Sequence, residues 1–179
     1  ADGGENFNSL SGTSMSAPHI AGLAALLKQA NPEWSAAAIK SAMMTTARTT
    51  NSAGEAIQRL GEDATPLDYG SGEVVPASSY SPGLVYDAAE GDWFTYACAL
   101  NQLQPLLQDP TECEGRDTDP SDLNYPTISI GDLAGVQTVT RTVTNVSDSA
   151  AEYTAAVDAP AGIDVSVEPE TFTVAANGT

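Results

Sequence analysis

Apolar and polar positions divide this chain into a helical first part and an alternating last third. Residues 15 to 27 are almost wholly apolar or small: Met15, Ala17, Ile20, Ala21, Gly22, Leu23, Ala24, Ala25, Leu26 and Leu27. A helix that is apolar all round is expected to be buried on every side. Ser14 should sit at its N-terminus, in the N-cap position or beside it. Pro18 falls in the first turn, where backbone N–H groups lack intrahelical partners, and Asn31-Pro32 ends the helix. A second helix should start at Ser35 as N-cap, with Trp34 and Ile39 spaced as a hydrophobic staple, and fade near Thr46. Residues 49 to 72 are polar and Gly-rich, which predicts a loop region. Ser81-Pro82-Gly83 reads as a turn. Residues 93 to 107 read as a short helix with Phe94, Ala97, Cys98 and Leu100 as its apolar points.

Residues 109 to 122 carry Asp109, Glu112, Glu114, Asp117, Asp119 and Asp122 between prolines and a glycine, the composition of a solvated linker. From Leu123 onward the period becomes two. Val139 and Val143 alternate with Thr138, Thr140, Thr142 and Thr144, with Arg141 interrupting the apolar face. Tyr153, Ala155 and Val157 share a face, as do Ile163, Val165 and Val167, and then Phe172 and Val174. Short strands separated by turn residues predict a β-sandwich. Four or five strands are fewer than the roughly seven that an immunoglobulin-like sandwich needs. The Thr-rich strand reads as a solvent-facing sheet surface.

Composition narrows the function. With 24 acidic and 6 basic residues the net charge is −18 over 179 residues, which excludes a phosphate-binding surface and hence nucleic acid as a partner. The acidic surface reads as solvating. No apolar run reaches the roughly 18 residues of a membrane span, and no signal peptide is visible. The chain begins Ala1-Asp2-Gly3-Gly4 and reads as a piece of a longer protein. Two cysteines and one histidine do not suggest a zinc site. Asp117-x-Asp119 lacks the glycine and distal glutamate of a calcium loop. Cys98 and Cys113 either close a loop of about 15 residues, worth roughly 3 kcal/mol, or are unrelated buried thiols.

One segment carries candidate chemistry: Gly12-Thr13-Ser14-Met15-Ser16-Ala17-Pro18-His19. A serine hydroxyl needs a base to become a nucleophile. The oxyanion it creates can be held by backbone N–H groups at a helix N-terminus. Ser14 would offer both a hydroxyl and an N–H, and Gly12 would keep the approach open to a substrate backbone. The residues alone leave a nucleophile and a helix-capping serine side by side.

The octet, followed by Ile20-Ala21-Gly22, resembles the nucleophile segment of subtilisin-like serine peptidases. Asn31-Pro32-Glu33-Trp34-Ser35 and residues 39 to 47 resemble the two-helix continuation in that family. Tyr69-Gly70-Ser71-Gly72-Glu73-Val74-Val75-Pro76 and Pro82-Gly83-Leu84-Val85-Tyr86-Asp87 resemble the end of the catalytic domain in the plant-type (cucumisin-like) branch, which often has histidine where Glu73 stands. Residues 93 to 98, Cys113 and Asp122-Leu123-Asn124-Tyr125-Pro126 resemble the segment that leads there into a fibronectin type III-like domain.

The resemblance implies an α/β fold: the C-terminal part of a subtilisin-like catalytic domain, with helices and few strands, then an incomplete all-β fibronectin type III-like sandwich. It divides the chain into residues 1–90, a short helix and acidic linker over 91–120, and the partial sandwich over 121–179. It implies a secreted serine endopeptidase acting on protein or peptide substrates, with Ser14 as catalytic nucleophile. It also implies a Cys98–Cys113 disulfide. No cofactor or metal ligand is expected among these residues, and a calcium site of the parent protein is not assignable here.

In that family the chain order is Asp, His, Ser, with an asparagine as second oxyanion donor whose loss costs about 10²–10³ in turnover. The aspartate, the histidine and the asparagine would all lie upstream. His19 is five residues along the same helix, about 140° round from Ser14, and reads as a packed, hydrogen-bonded structural histidine. The chain alone is therefore expected to be inactive. The alternative is a non-catalytic extracellular binding or adhesion protein, or an inactive homologue. Asn145-Val146-Ser147 and Asn177-Gly178-Thr179 are glycosylation triplets, of a kind frequent by chance.

Overall fold

The computed structural model describes residues 9–103 and 106–179. Helix α1 spans Thr13–Ala30 and α2 spans Ala36–Thr45. Ser35 caps α2 as expected, its Oγ accepting the Ala38 N–H at 2.9 Å. Leu23 and Leu27 of α1 meet Ile39 and Met43 of α2, with Trp34 and Val74 against their edge. The turn between the helices is clasped by Lys28, whose ammonium donates to the Pro32 and Trp34 carbonyls, each at 2.7 Å. That charge also sits in the last turn of α1, where the helix dipole favours a cation.

The loop expected over 49 to 72 contains structure. Strands β1 (Gln58–Arg59) and β2 (Glu62–Asp63) form a hairpin. Its turn is Leu60-Gly61, both at positive φ. Leucine is a poor residue for that conformation, so only Gly61 marked this turn in the sequence. A one-turn helix α3, Pro66–Tyr69, follows, with the Asp68 carboxylate accepting the Thr65 N–H and hydroxyl, each at 2.9 Å. Antiparallel backbone bonds between Arg48 and Glu73 close the base of this excursion at 2.9 and 2.8 Å. Helix α4 (Pro76–Ser79) then leads to strand β3 (Leu84–Val85). Val85 is buried against Ala38 and Ala42 of α2, and the buried Ser41 hydroxyl accepts the Tyr86 N–H at 2.9 Å.

Helix α5 spans Glu90–Ala99. It starts earlier and stops sooner than the expected 93 to 107. Asp92 accepts the Ala89 N–H at its start, and Asn101, at positive φ, turns the chain at its end. Positions 104 and 105 of the expected helix lie outside the described residues. Cys98 and Cys113 are joined by a disulfide, Cα–Cα 5.4 Å, and both are buried.

Strand β4 (Thr144–Asn145) pairs antiparallel with β3, and β5 (Ala151–Thr154) with β6 (Thr171–Val174). Tyr153 stacks on Phe172 with ring centroids 5.9 Å apart. Among the described residues these strands form two-stranded sheets and no closed sandwich. Of the expected strands, the one over Gln137 to Asn145 forms only at its end, as β4, and the one over 163 to 167 does not form. At 137 to 143 side chains replace a ladder. The Thr140 N–H goes to Asp122 and the Thr142 N–H to Asn124. Arg141, expected merely to interrupt an apolar face, donates to the carbonyls of Tyr125 and Ser121 at 2.9 and 2.7 Å. At 163 to 167 the alternation is real, but Ile163, Val165 and Val167 stay exposed, because no strand lies alongside to pair with them.

Candidate functional site

The backbone around Ser14 is set by Gly12. Its φ of 147° lies in the range that favours glycine, and it caps α1 with no side-chain bond. Its carbonyl accepts the N–H of Met15 at 3.0 Å and of Ser16 at 3.2 Å, and weakly the Ser16 hydroxyl. Ser14 is thus the second residue of α1, and Gly12 rather than Ser14 is the cap. The reason is local: only glycine takes the turn that closes the first loop of the helix. Pro18 consequently lies in the second turn rather than the first. The N–H that it lacks would have served the Ser14 carbonyl, four residues back, and the helix passes through intact.

Ser14 is exposed. Its hydroxyl and its backbone N–H have no hydrogen-bond partner among the described residues. The N–H is one of the first four of α1, which have no intrahelical acceptor and carry the positive end of the helix dipole. An exposed hydroxyl beside a free N–H at a helix N-terminus is an arrangement that could attack a carbonyl and hold the resulting oxyanion.

Helix α1 is not buried on all sides. Leu23 and Leu27 are buried, whereas Met15, Ile20 and Leu26 are exposed. Among the described residues α2 is the element packed on it, and only at the C-terminal half. Its N-terminal half carries Ser14 outward from that anchor.

His19 is hydrogen-bonded but not packed. Its Nδ1 lies 2.6 Å from the Met15 carbonyl, one turn back, and the ring is exposed. A carbonyl can only accept, so Nδ1 carries the proton. No hydrogen bond joins His19 to Ser14. The structure therefore places Ser14 among helix-terminal N–H groups and, among the described residues, brings no base to it. No metal-holding group of histidine, cysteine or carboxylate side chains occurs among the described residues. Asp119, half of the Asp117-x-Asp119 pair, accepts from the Ser121 N–H and hydroxyl and from Gln137. These bonds, chiefly from Ser121, hold its pKa below the usual carboxylate range.

A groove of about 720 Å³ lies elsewhere, between α2, the start of α5 and residues 124 to 126, with Lys40, Trp93 and Tyr125 in its wall and no residue of α1. The sequence reading missed the role of Asn124. Its amide donates to the Asp87 carbonyl at 2.7 Å and the Thr142 carbonyl at 2.9 Å, tying the segment after β3 to the segment before β4. Its place in Asp122-Leu123-Asn124-Tyr125-Pro126 was visible, but nothing in that pattern says what an asparagine there holds.

Comparison with known proteins matches the two parts separately. The model of the subtilase family matches residues 2–92. That of a fibronectin type-III domain matches residues 122–179. Subtilisin-like protease SBT2.6 of Arabidopsis thaliana is 42% identical over 97% of this chain and 23% of its own length. Subtilisin-like protease SBT3.12 of the same plant is 44% identical over 93% of this chain and 23% of its own. Subtilisin-like serine-protease S of Lotus japonicus is 42% identical over 92% and 22%. The chain spans under a quarter of the length of these relatives. With Ser14 and its cap inside the matched stretch and that match covering half of the sequence, this chain belongs to the subtilase family.

Proposed function

We propose that the protein containing these residues is a secreted serine endopeptidase with Ser14 as its nucleophile. Residues 1–90 would be the C-terminal part of its catalytic domain. Residues 91–120 would be a short helix and acidic linker, and residues 121–179 part of a fibronectin type III-like sandwich. The observation that carries the reading is the placement of Ser14. Its hydroxyl and N–H stand open at the start of α1, behind a glycine cap, within the stretch matched by the subtilase model.

In this reading a histidine outside the chain takes the Ser14 proton as Oγ bonds to the scissile carbonyl carbon. The Ser14 N–H, with an asparagine side chain also outside the chain, holds the oxyanion. The histidine gives its proton to the leaving amine, the C–N bond breaks, and water then releases the acyl group by the same steps. His19 is the one histidine present. Its ring is tied to its own helix turn and takes no part. The exposed apolar side chains Met15, Ile20 and Leu26 support a catalytic domain that continues around α1.

Labelling of the full-length protein with a fluorophosphonate should place one adduct on Ser14. Ser14→Ala should lower kcat by about 10⁶, the scale seen when a triad serine is removed. The 179-residue chain alone should hydrolyse no peptide. Full activity in Ser14→Ala, or an adduct on another serine, would overturn the assignment.

A further inference from the structure

Two Asn-x-Ser/Thr triplets lie in this chain, and the fold treats them in opposite ways. Asn145, in Asn145-Val146-Ser147, is fully buried. Its amide nitrogen donates to the carbonyls of Ser149, Val174 and Ala175 at 2.9, 3.2 and 3.1 Å. Its Oδ1 accepts the Ser147 N–H at 2.9 Å and the Ser147 hydroxyl at 2.7 Å. Both polar atoms of the side chain are consumed, and so is the hydroxyl that completes the triplet.

Asn177, in Asn177-Gly178-Thr179, lies directly against the first triplet. The Asn145 N–H donates to the Gly178 carbonyl at 2.8 Å, and the Asn177 N–H to the Ser147 carbonyl at 3.3 Å. Pairing of the two backbones turns one asparagine inward and the other out. Asn177 takes positive φ, is exposed, and has no side-chain hydrogen bond among the described residues.

We infer that Asn177 is an N-glycosylation site and that Asn145, with the same kind of triplet, is not. The donor is an oligosaccharide carried on a lipid diphosphate. The Asn177 amide nitrogen bonds to the anomeric carbon, the diphosphate leaves with the bonding pair, and the amide gives up one proton. A glycan at Asn177 projects into solvent. A glycan at Asn145 has no space, and it removes one of the two amide hydrogens that satisfy buried carbonyls, so a chain carrying it does not reach this fold. The inference rests on the reading that the protein is secreted.

The test is production from the complete gene in a eukaryotic secretory host, followed by peptide-N-glycosidase digestion and mass mapping of the secreted protein. The acceptor is read as an asparagine converted to aspartate. Conversion at Asn177 alone is expected, lost in both Asn177→Gln and Thr179→Ala, with the secreted yield within twofold of wild type. Asn145→Gln should instead reduce the secreted yield several-fold. A glycan on Asn145 of the secreted, folded protein overturns the inference, and so does a secreted protein with no glycan at Asn177. Retention of the wild-type protein inside the cell overturns the secretory reading itself, a result distinct from secretion without a glycan.

Discussion

Replacing Gly72 with alanine tests how the excursion between Arg48 and Glu73 is closed. Gly72 has φ of 114°, and a Cβ built there would lie 2.3 Å from the Arg48 carbonyl oxygen and 2.8 Å from its carbon. The obstructing atom cannot swing away, because that oxygen accepts the Glu73 N–H at 2.8 Å. Gly72→Ala must strain the backbone and displace a hydrogen-bonded carbonyl, so we expect a loss of about 2–4 kcal/mol. Two other glycines provide controls. Gly54 has φ of 83° with nothing within 4 Å, so Gly54→Ala should cost the strain alone, about 1–2 kcal/mol. Gly91 lies in α5 with nothing within 4 Å, and Gly91→Ala should stabilise by about 0.5–1 kcal/mol. Urea unfolding followed by tryptophan fluorescence gives the comparison. With a slope of about 2 kcal/mol/M, Gly72→Ala should lower the midpoint by about 1–2 M. A Gly72→Ala midpoint no lower than that of Gly54→Ala would refute the argument from the carbonyl.

Other expectations follow from single contacts. Leu27→Ala should destabilise by about 2–5 kcal/mol, since Leu27 is fully buried against α2. Leu26→Ala, at a side chain 53% exposed, should change the stability of this chain by about 0.5 kcal/mol or less. Equal losses in urea titrations would sink the packing of α1 described above. Reducing Cys98–Cys113, 15 residues apart in sequence, should cost roughly 3 kcal/mol, read as a lower thermal midpoint in reductant, and no change would refute it. Asp119 has a depressed pKa, with the Ser121 bonds as its largest cause. Its contribution is therefore present above the ordinary aspartate pKa of about 3.9 and lost as pH falls below that value through the folded pKa. Amide exchange at Ser121 should accelerate in that acid window, and an Asp119→Asn variant should show no such step.

Local chemistry was legible where one residue decides one feature. Ser35 caps α2 and Asn31-Pro32 ends α1, each through contacts within a few positions in sequence, and Trp34 packs against the cluster that holds Ile39. The start of α1 was legible to within two positions, since its geometry is set by Gly12 to Ser16, with Gly12 rather than Ser14 as the cap. Features set by distant partners were not. The β1–β2 turn uses Leu60 at positive φ, against its own preference. The alternation at 137 to 143 promised a ladder, yet the N–H groups of Thr140 and Thr142 are satisfied by Asp122 and Asn124, whose positions no periodicity reveals.

Burial was the property read least well, and α1 shows why. Its apolar pattern states what the helix would bury given enough neighbours, not which neighbours it has. Leu23 and Leu27 find α2, while Met15, Ile20 and Leu26 stay exposed. The same reasoning in reverse applies to Asn145. Its polar amide would suit the surface, but the carbonyls of Ser149, Val174 and Ala175 need a donor, and Asn145 supplies it from the interior. In both cases a side chain's surroundings follow from what the rest of the fold leaves unsatisfied. The apolar side of α1 is the counterpart near Ser14, a demand for packing that Met15, Ile20 and Leu26 leave open among the described residues.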